Sequence, residues 1–98
     1  MVINETRTGD TLTIAPEGRL DTNSAPELDA FLKKYYASIT ELVVDCSRLD
    51  YVSSAGLRVF LSARKALQNK GPVRILNANK LILEVLNVTG LAELFEFR

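Results

Sequence analysis

The amino-acid sequence predicts an α/β fold. We expect a small mixed, mostly parallel four- to five-stranded sheet with three main helices, in the order ββαβαβα(β). Three observations lead to this prediction. Short runs rich in apolar and β-branched residues have the length of strands, and longer stretches between them carry apolar residues at helical spacing. The strand–helix–strand connections are also long enough for right-handed crossovers between parallel strands.

The first two strands are expected to form a hairpin. Residues 2–7 and 11–17 have strand patterns, and residues 8–10 form the turn between them. The second strand alternates, with Leu12 and Ile14 on the same side. The first strand should therefore lie at an edge of the sheet.

A first helix is predicted from Ser24 to about residue 36. Ser24 and Glu27 have the spacing of a capping box, in which each side chain binds a free N–H group of the first turn. Pro26 fits the first turn because its missing N–H costs nothing there. The apolar stripe of this helix comprises Leu28, Phe31, Leu32 and Tyr35.

Strands and helices alternate through the rest of the chain. The run at 42–44 is continuously apolar and β-branched, which is typical of a strand buried on both faces. Helix boundaries follow from capping and stop signals. The elements expected after 42–44 are a helix from near Ser54 to just before Gly71, a strand at 73–76, a helix from Asn79 to near Gly90, and a last strand at 94–97.

Composition limits the function classes. A chain of 98 residues fits one domain, so we treat 1–98 as a single domain. Twelve basic and twelve acidic residues cancel, which does not favour nucleic acid as a partner. No apolar run approaches the ~20 residues that span a bilayer, so no direct membrane insertion is expected. With no signal-peptide pattern and a single cysteine, Cys46, a cytoplasmic location is predicted.

The sequence contains no histidine. Ser-His and Cys-His nucleophile pairs are therefore excluded, and a zinc site would need carboxylates alone. No glycine-rich phosphate loop is present either. We accordingly expect a binding protein without catalytic residues, metal or cofactor, rather than an enzyme.

Polar residues are expected to gather at one edge of the sheet. The loops at 21–23, 50–54 and 77–79 follow parallel strands, whose carboxyl ends share an edge. Ser54 stands where the second helix begins, and free N–H groups there can hold a phosphate. The alternative interpretation is that Ser54 only caps the helix. Ala55 and Gly56 keep the first turn slim, so that a partner could approach the hydroxyl.

Three segments carry a family resemblance. Residues 50–57, followed by an amphipathic helix, resemble the phosphorylation segment of the anti-sigma factor antagonist family, whose members are STAS domains. Gly18-Arg19-Leu20-Asp21 resembles the family's Gly-x-Leu-Asp segment, and Thr89-Gly90-Leu91 looks like its closing Ser/Thr-Gly-Leu turn. The resemblance spans essentially the whole chain and implies a STAS-like fold.

The resemblance also implies a function. Members of the family are bacterial phosphoproteins that regulate transcription by partner switching. The resemblance makes Ser54 the phosphoacceptor and makes an anti-sigma factor that is also a serine kinase the partner, bound while Ser54 is unphosphorylated. A phosphoserine phosphatase would be a second partner. Ser53 stands where well-known members carry Asp, which leaves Ser53 as the alternative acceptor.

The surface implied for partner binding lies around Ser54. Asp21 would contact the kinase or align the serine; on local grounds it could equally be a capping carboxylate ahead of the first helix. Leu57 and Leu61 are either core residues or apolar anchors for the partner. The full predicted set is Asp21, Thr22, Ser53, Ser54, Ala55, Gly56, Leu57 and Leu61. The alternative function is a constitutive STAS accessory subunit of a membrane transport system, which would use this surface without a phosphate.

Overall fold

A sheet of six strands and three α-helices builds the structure, a computed structural model that describes residues 1–97. A short 3₁₀ helix, Leu91–Leu94, precedes the last strand. The elements in chain order are β1 (Val2–Thr8), β2 (Thr11–Leu20), α1 (Ala25–Lys33), β3 (Glu41–Asp45), β4 (Leu49–Val52), α2 (Ser54–Leu67), β5 (Val73–Leu76), α3 (Lys80–Val88) and β6 (Glu96–Phe97).

Strand β2 organises the sheet because it pairs with three neighbours. The main path runs β1-β2-β3-β5-β6, with β1 antiparallel to β2 and the remaining neighbours parallel. The first half of β2 pairs with β3, whereas its last residues pair in parallel with β4. The register shifts between Gly18 and Arg19, and Gly18 has a φ of 93°, a conformation that glycine adopts without steric cost.

The predicted fold class is confirmed, and the structure adds one strand to the predicted four or five. This strand is β4, which overlaps the loop predicted at 50–54. It has only four residues and pairs with the far end of β2, so neither length nor periodicity identifies it. The hairpin, the strand at 73–76 and a final strand are present as predicted, the final strand as Glu96–Phe97.

Burial alternates along the central strands. Leu42 and Val44 are buried, but Val43 between them is half-buried. The expectation that this strand would be buried on both faces is therefore wrong, because the core lies on one face of the sheet. The core face of the strands includes Leu12, Ile14, Leu42, Val44, Val73 and Ile75, and the helices supply Leu28, Leu32, Phe60, Ala63, Leu67, Ile82 and Leu86.

Helix α1 does not begin as predicted. Ser24 has a helical backbone conformation, and its side chain makes no capping hydrogen bond to the helix. The Glu27 carboxylate instead lies 2.9 Å from the amino group of Met1. The capping-box interpretation is thus wrong, although Pro26 does lie in the first turn. The helix ends at Lys33 rather than near residue 36.

Helix α3 begins and ends as predicted. The Asn79 side chain accepts a hydrogen bond from the Ile82 N–H at 2.8 Å, which caps the helix. Gly90, with a φ of 75°, follows the last turn. Within residues 1–97, none of the helices has the length and apolar character needed to cross a membrane.

Candidate functional site

The three loops predicted to meet at one edge of the sheet do meet there. The Ser53 N–H donates to the Leu20 carbonyl at 2.8 Å, which extends the β2–β4 pairing by one residue. This bond places the loop after β2 beside the start of α2. The Asn79 side-chain amide donates to the carbonyls of Leu49 and Asp50 at 3.4 and 3.3 Å, so the start of α3 is tied to β4.

The two adjacent serines have different roles at the start of α2. Ser53 has an extended backbone, and its hydroxyl accepts the Gly56 N–H at 3.5 Å. Ser53 is therefore the N-cap, and the interpretation of Ser54 as the cap is wrong. Ser54 is the first residue of the helix; its side chain is exposed and makes no hydrogen bond to any residue within 1–97. Because the serines are neighbours, local sequence could not separate cap from first residue.

Gly56 faces the sheet rather than a partner. A Cβ placed on Gly56 would lie 2.8 Å from Cγ of Leu20 and 2.9 Å from Cγ1 of Val52. Glycine at this position lets the first turn of α2 dock closely on the ends of β2 and β4. The expectation that Gly56 opens the site to a partner is therefore wrong, whereas Ala55 is half-buried beside Ser54.

The two predicted apolar anchors, Leu57 and Leu61, differ in exposure. Leu57 is only 7% exposed and belongs to the core, so it cannot serve as an exposed anchor. Leu61, four residues later, is half-buried and retains an accessible edge. In the predicted partner surface, Ser54 and Thr22 are exposed, and the half-buried members are Asp21, Ser53, Ala55 and Leu61.

Asp21 organises the loop between β2 and α1. Its carboxylate accepts the backbone N–H groups of Ser24 at 3.2 Å and Asn23 at 3.0 Å. These hydrogen bonds, that of Ser24 first, lower the pKa of Asp21 below its ordinary value. The structure thus shows the contacts of a loop-capping carboxylate. It also places an ionised carboxylate on the loop next to the start of α2.

A groove lies between α1 and α2 and is lined by Ala55, the residue after Ser54. Its volume is about 350 Å³. Asp29 contributes a carboxylate and Arg58 a guanidinium, while the floor is largely apolar. The lining residues are Thr22, Ala25, Pro26, Asp29, Ala55, Arg58, Val59 and Ser62. The sequence patterns predict neither this groove nor a role for Arg58, although its spacing of four residues from Ser54 was a usable signal.

The free cysteine, Cys46, is not a reactive residue. Cys46 is buried, and burial, with a smaller effect from Asp45, raises the pKa of its thiol to about 12. It therefore remains a protonated core residue rather than a nucleophile. In the part of the chain that the structure describes, no three His, Cys, Asp or Glu side chains are grouped to hold a metal ion.

Comparison with known proteins identifies related sequences. A family model described as "Mlab, STAS domain" matches residues 3–96. BtrV of Bordetella bronchiseptica, named as a candidate anti-sigma factor antagonist, is 33% identical over 81 residues, which cover 81% of this chain and 70% of BtrV. The anti-sigma-B factor antagonist of Listeria monocytogenes is 27% identical over 94 residues, which cover 94% of this chain and 82% of that protein.

Solved structures show the same fold. The anti-sigma factor antagonist SpoIIAA in its unphosphorylated form matches with a TM-score of 0.87 at 20% identity, covering 99% of this chain and 88% of that one. The phosphorylated form of SpoIIAA matches with a TM-score of 0.79, also at 20% identity, covering 99% and 91%. At this identity the similarity to SpoIIAA establishes the architecture.

Proposed function

This chain belongs to the STAS domain family, and from that membership we propose that it is an anti-sigma factor antagonist controlled by phosphorylation of Ser54. As a single-domain binding protein, it binds an anti-sigma factor while Ser54 is unphosphorylated and releases it when Ser54 carries a phosphate. The anti-sigma factor is itself the serine kinase, and a phosphoserine phosphatase resets the cycle. The names of the relatives from Bordetella bronchiseptica and Listeria monocytogenes support the anti-sigma factor as partner.

The exposed hydroxyl of Ser54 is the observation that carries this proposal. It lies at the first position of α2 and has no hydrogen-bond partner within residues 1–97. A kinase could therefore reach it without disturbing the helix. Ser53 is half-buried and holds the N-cap hydrogen bond to Gly56, so its modification would have to disrupt that cap. These contacts favour Ser54 over Ser53 as the acceptor.

The start of α2 can hold a phosphate with little rearrangement. Free N–H groups and the helix dipole provide partial positive charge there. A phosphate adds about −1.5 to −2 charges at neutral pH, which would have to be desolvated in any interface that covers Ser54. Phosphorylation should therefore alter partner binding far more than the fold. A solved phosphorylated form of SpoIIAA with this architecture supports that expectation.

The surface around Ser54 has the character of a binding face. Thr22 and Ser54 are exposed, and the edge of Leu61 adds apolar area on the same helix. Asp21 on the neighbouring loop is ionised and can contact the kinase, or align the serine, in addition to capping its own loop. The half-buried side chain of Ala55 leaves room beside the hydroxyl.

Phosphopeptide mapping tests the proposal. The purified chain would be incubated with lysate of its native cells and Mg-ATP, then digested with trypsin. Cleavage after Arg48 and Arg58 releases a peptide, residues 49–58, that contains both serines. We expect phosphate on Ser54, none on this peptide in Ser54→Ala, and unchanged phosphorylation in Ser53→Asn, which retains a capping side chain.

An unmodified peptide would overturn the switch, provided that other proteins in the lysate are phosphorylated. The same surface would then be expected to bind constitutively, as in an accessory subunit of a membrane transport system. Phosphate on Ser53 alone would also contradict the proposal, because it would show that the kinase can displace a helix cap. The binding step is checked by comparing how much anti-sigma factor each form of the chain retains on an affinity column.

A further inference from the structure

Arg58 lies on the exposed side of α2, four residues after Ser54. Side chains separated by four residues are neighbours on a helix surface, with Cβ atoms about 5–6 Å apart. Side chains in a helix generally lean toward its N-terminus, which is the end of α2 where Ser54 lies. The four-residue spacing therefore leaves this guanidinium within reach of the hydroxyl that the proposed kinase modifies.

Arg58 is also free to bind a new anion. It makes no hydrogen bond and no ion pair with any residue within 1–97. Two other arginines already have partners: Arg19 lies over the ring of Tyr51 at 4.4 Å, and Arg48 contacts Glu17 at 3.1 Å. Arg58 can therefore turn to a phosphate on Ser54 without breaking an existing contact.

We propose that Arg58 is the phosphate-binding residue of the switch. When Ser54 carries a phosphate, the guanidinium forms charge-assisted hydrogen bonds with the phosphate oxygens, and the N–H groups of the first turn complete the site. This inference rests on the proposed function and deepens it, because it names how this chain responds to its own phosphate. Arginine suits the role because its planar fork matches phosphate oxygens.

Movement of Arg58 also changes the groove between α1 and α2. In the unphosphorylated chain Arg58 lines that groove together with Thr22, Asp29 and Ala55. A phosphate on Ser54 draws it toward the start of the helix. Phosphorylation thus adds negative charge at the serine and removes a cationic contact from the groove in one step. Both changes act against a partner that rests on this face.

Other charged groups face Arg58 and Ser54. Asp29 reaches the groove from α1 but already lies 2.9 Å from Lys33. The ionised carboxylate of Asp21 lies on the loop after β2 and disfavours a second negative charge nearby. Since both carboxylates are present in every variant compared below, differences between the variants report on Arg58.

Phosphorus NMR of the phosphorylated chain tests the inference. Phosphoserine would be installed at position 54 during synthesis of the full chain, so the test needs no cellular kinase. The second ionisation of the phosphate would then be titrated in wild type, Arg58→Gln, Arg58→Lys and Lys65→Gln. Lys65 is exposed on the same helix, seven residues beyond Arg58, and its replacement removes the same charge away from Ser54.

We expect the phosphate pKa in wild type and Lys65→Gln to lie roughly half a pH unit to one unit below that in Arg58→Gln, because a nearby cation favours the dianion. Arg58→Lys should fall between them. Equal pKa values in wild type and Arg58→Gln would overturn the inference. A second readout needs no substitution: the Nε–H resonance of Arg58 should shift on phosphorylation, and an unchanged resonance would likewise contradict the assignment.

The two proposals can fail separately. Absence of Ser54 phosphorylation in lysate would remove the proposed switch but would not alter the NMR result. Equal phosphate pKa values would remove the role of Arg58 while leaving Ser54 as the acceptor in the mapping experiment.

Discussion

Helices α1 and α2 begin at the same edge of the sheet, and each is preceded by serine, yet the hydroxyls are used differently. At α1, the Ser24 hydroxyl turns back, donating to the Arg19 carbonyl at 2.6 Å and accepting the Asp21 N–H at 3.0 Å. At α2, Ser53 caps the helix, and the hydroxyl of Ser54 remains unbonded within the described part of the chain.

The difference shows which signal predicts an available hydroxyl. The start of α1 has the stronger local motif, the spacing of a capping box with proline in the first turn, but the Asp21 carboxylate accepts the Ser24 N–H that Glu27 would accept in such a box. The start of α2 has two serines, and one of them satisfies the helix. The other keeps an unbonded hydroxyl within the described residues because the cap is already occupied. An available serine hydroxyl is therefore recognised by the hydrogen bonds that its neighbours have already made.

The largest loss of stability should follow from a side chain at Gly56 that prevents the start of α2 from packing closely on the sheet. Gly56→Val places new atoms against Leu20 and Val52, where even a Cβ would be too close. We expect it to lower the free energy of unfolding by about 3 kcal/mol, measured by urea denaturation. Ala66→Val, an exposed control on the same helix, should cost only about 0.5 kcal/mol. Similar losses in both variants would show that docking at Gly56 does not position Ser54.

Ser24 and Glu27, the two residues of the apparent capping box, should differ in their contribution to stability, and this effect is smaller than that of Gly56→Val. Ser24→Ala removes the three hydrogen bonds that the Ser24 hydroxyl makes in the loop after β2 and should cost about 1.5 kcal/mol in unfolding free energy. Glu27→Ala should change it by less than about 0.5 kcal/mol, because Glu27 is 58% exposed and contacts only an amino group. A comparable loss of stability in Glu27→Ala would support the capping-box interpretation and contradict the contacts seen in the structure.

The two serines at the start of α2, Ser53 and Ser54, should also differ in their contribution to stability. Ser53→Ala removes the N-cap and should cost about 1 kcal/mol, whereas Ser54→Ala should change the unfolding free energy by less than about 0.3 kcal/mol. Both values come from urea denaturation of the unphosphorylated chain at pH 7. If the order were reversed, Ser54 would be the cap, and its hydroxyl would not be free for a kinase.

The smallest expected effect concerns the pH dependence contributed by Asp21. Because its pKa is lowered in the folded chain from the ordinary value of 3.8, its contribution to stability is fully present above that value. The contribution is lost as the pH falls through the lower, folded pKa. Asp21→Asn should therefore be less stable than wild type at pH 7, and the difference should shrink below pH 3.8. Unfolding measured between pH 7 and pH 2.5, with exposed Glu84→Gln as control, checks this; a constant difference would contradict it.

Much of the fold follows from local pattern. The alternation in β2, the stripe of α1 and the cap at Asn79 each involve residues close in sequence, so periodicity and capping rules identify them. Strand β4 escaped prediction because its only evidence is pairing with Gly18–Leu20, some thirty residues earlier. The pattern left open whether Leu57 packs in the core or faces a partner, since the burial of a position on the border of a helix stripe depends on how far the helix is rotated against the sheet.

The sequence by itself determined the α/β class, the order of most elements and the segment around Ser54, because these depend on neighbouring residues and their intrinsic preferences. Only the tertiary structure decided that Ser53 caps α2 while Ser54 stays unbonded within the described residues, that Gly56 is needed against Leu20, and that Arg58 lines a groove between α1 and α2. Those features arise where segments distant in sequence meet. Which groups hydrogen-bond there, and which side chains fit, depends on residues from several segments and cannot be inferred from one local stretch of sequence.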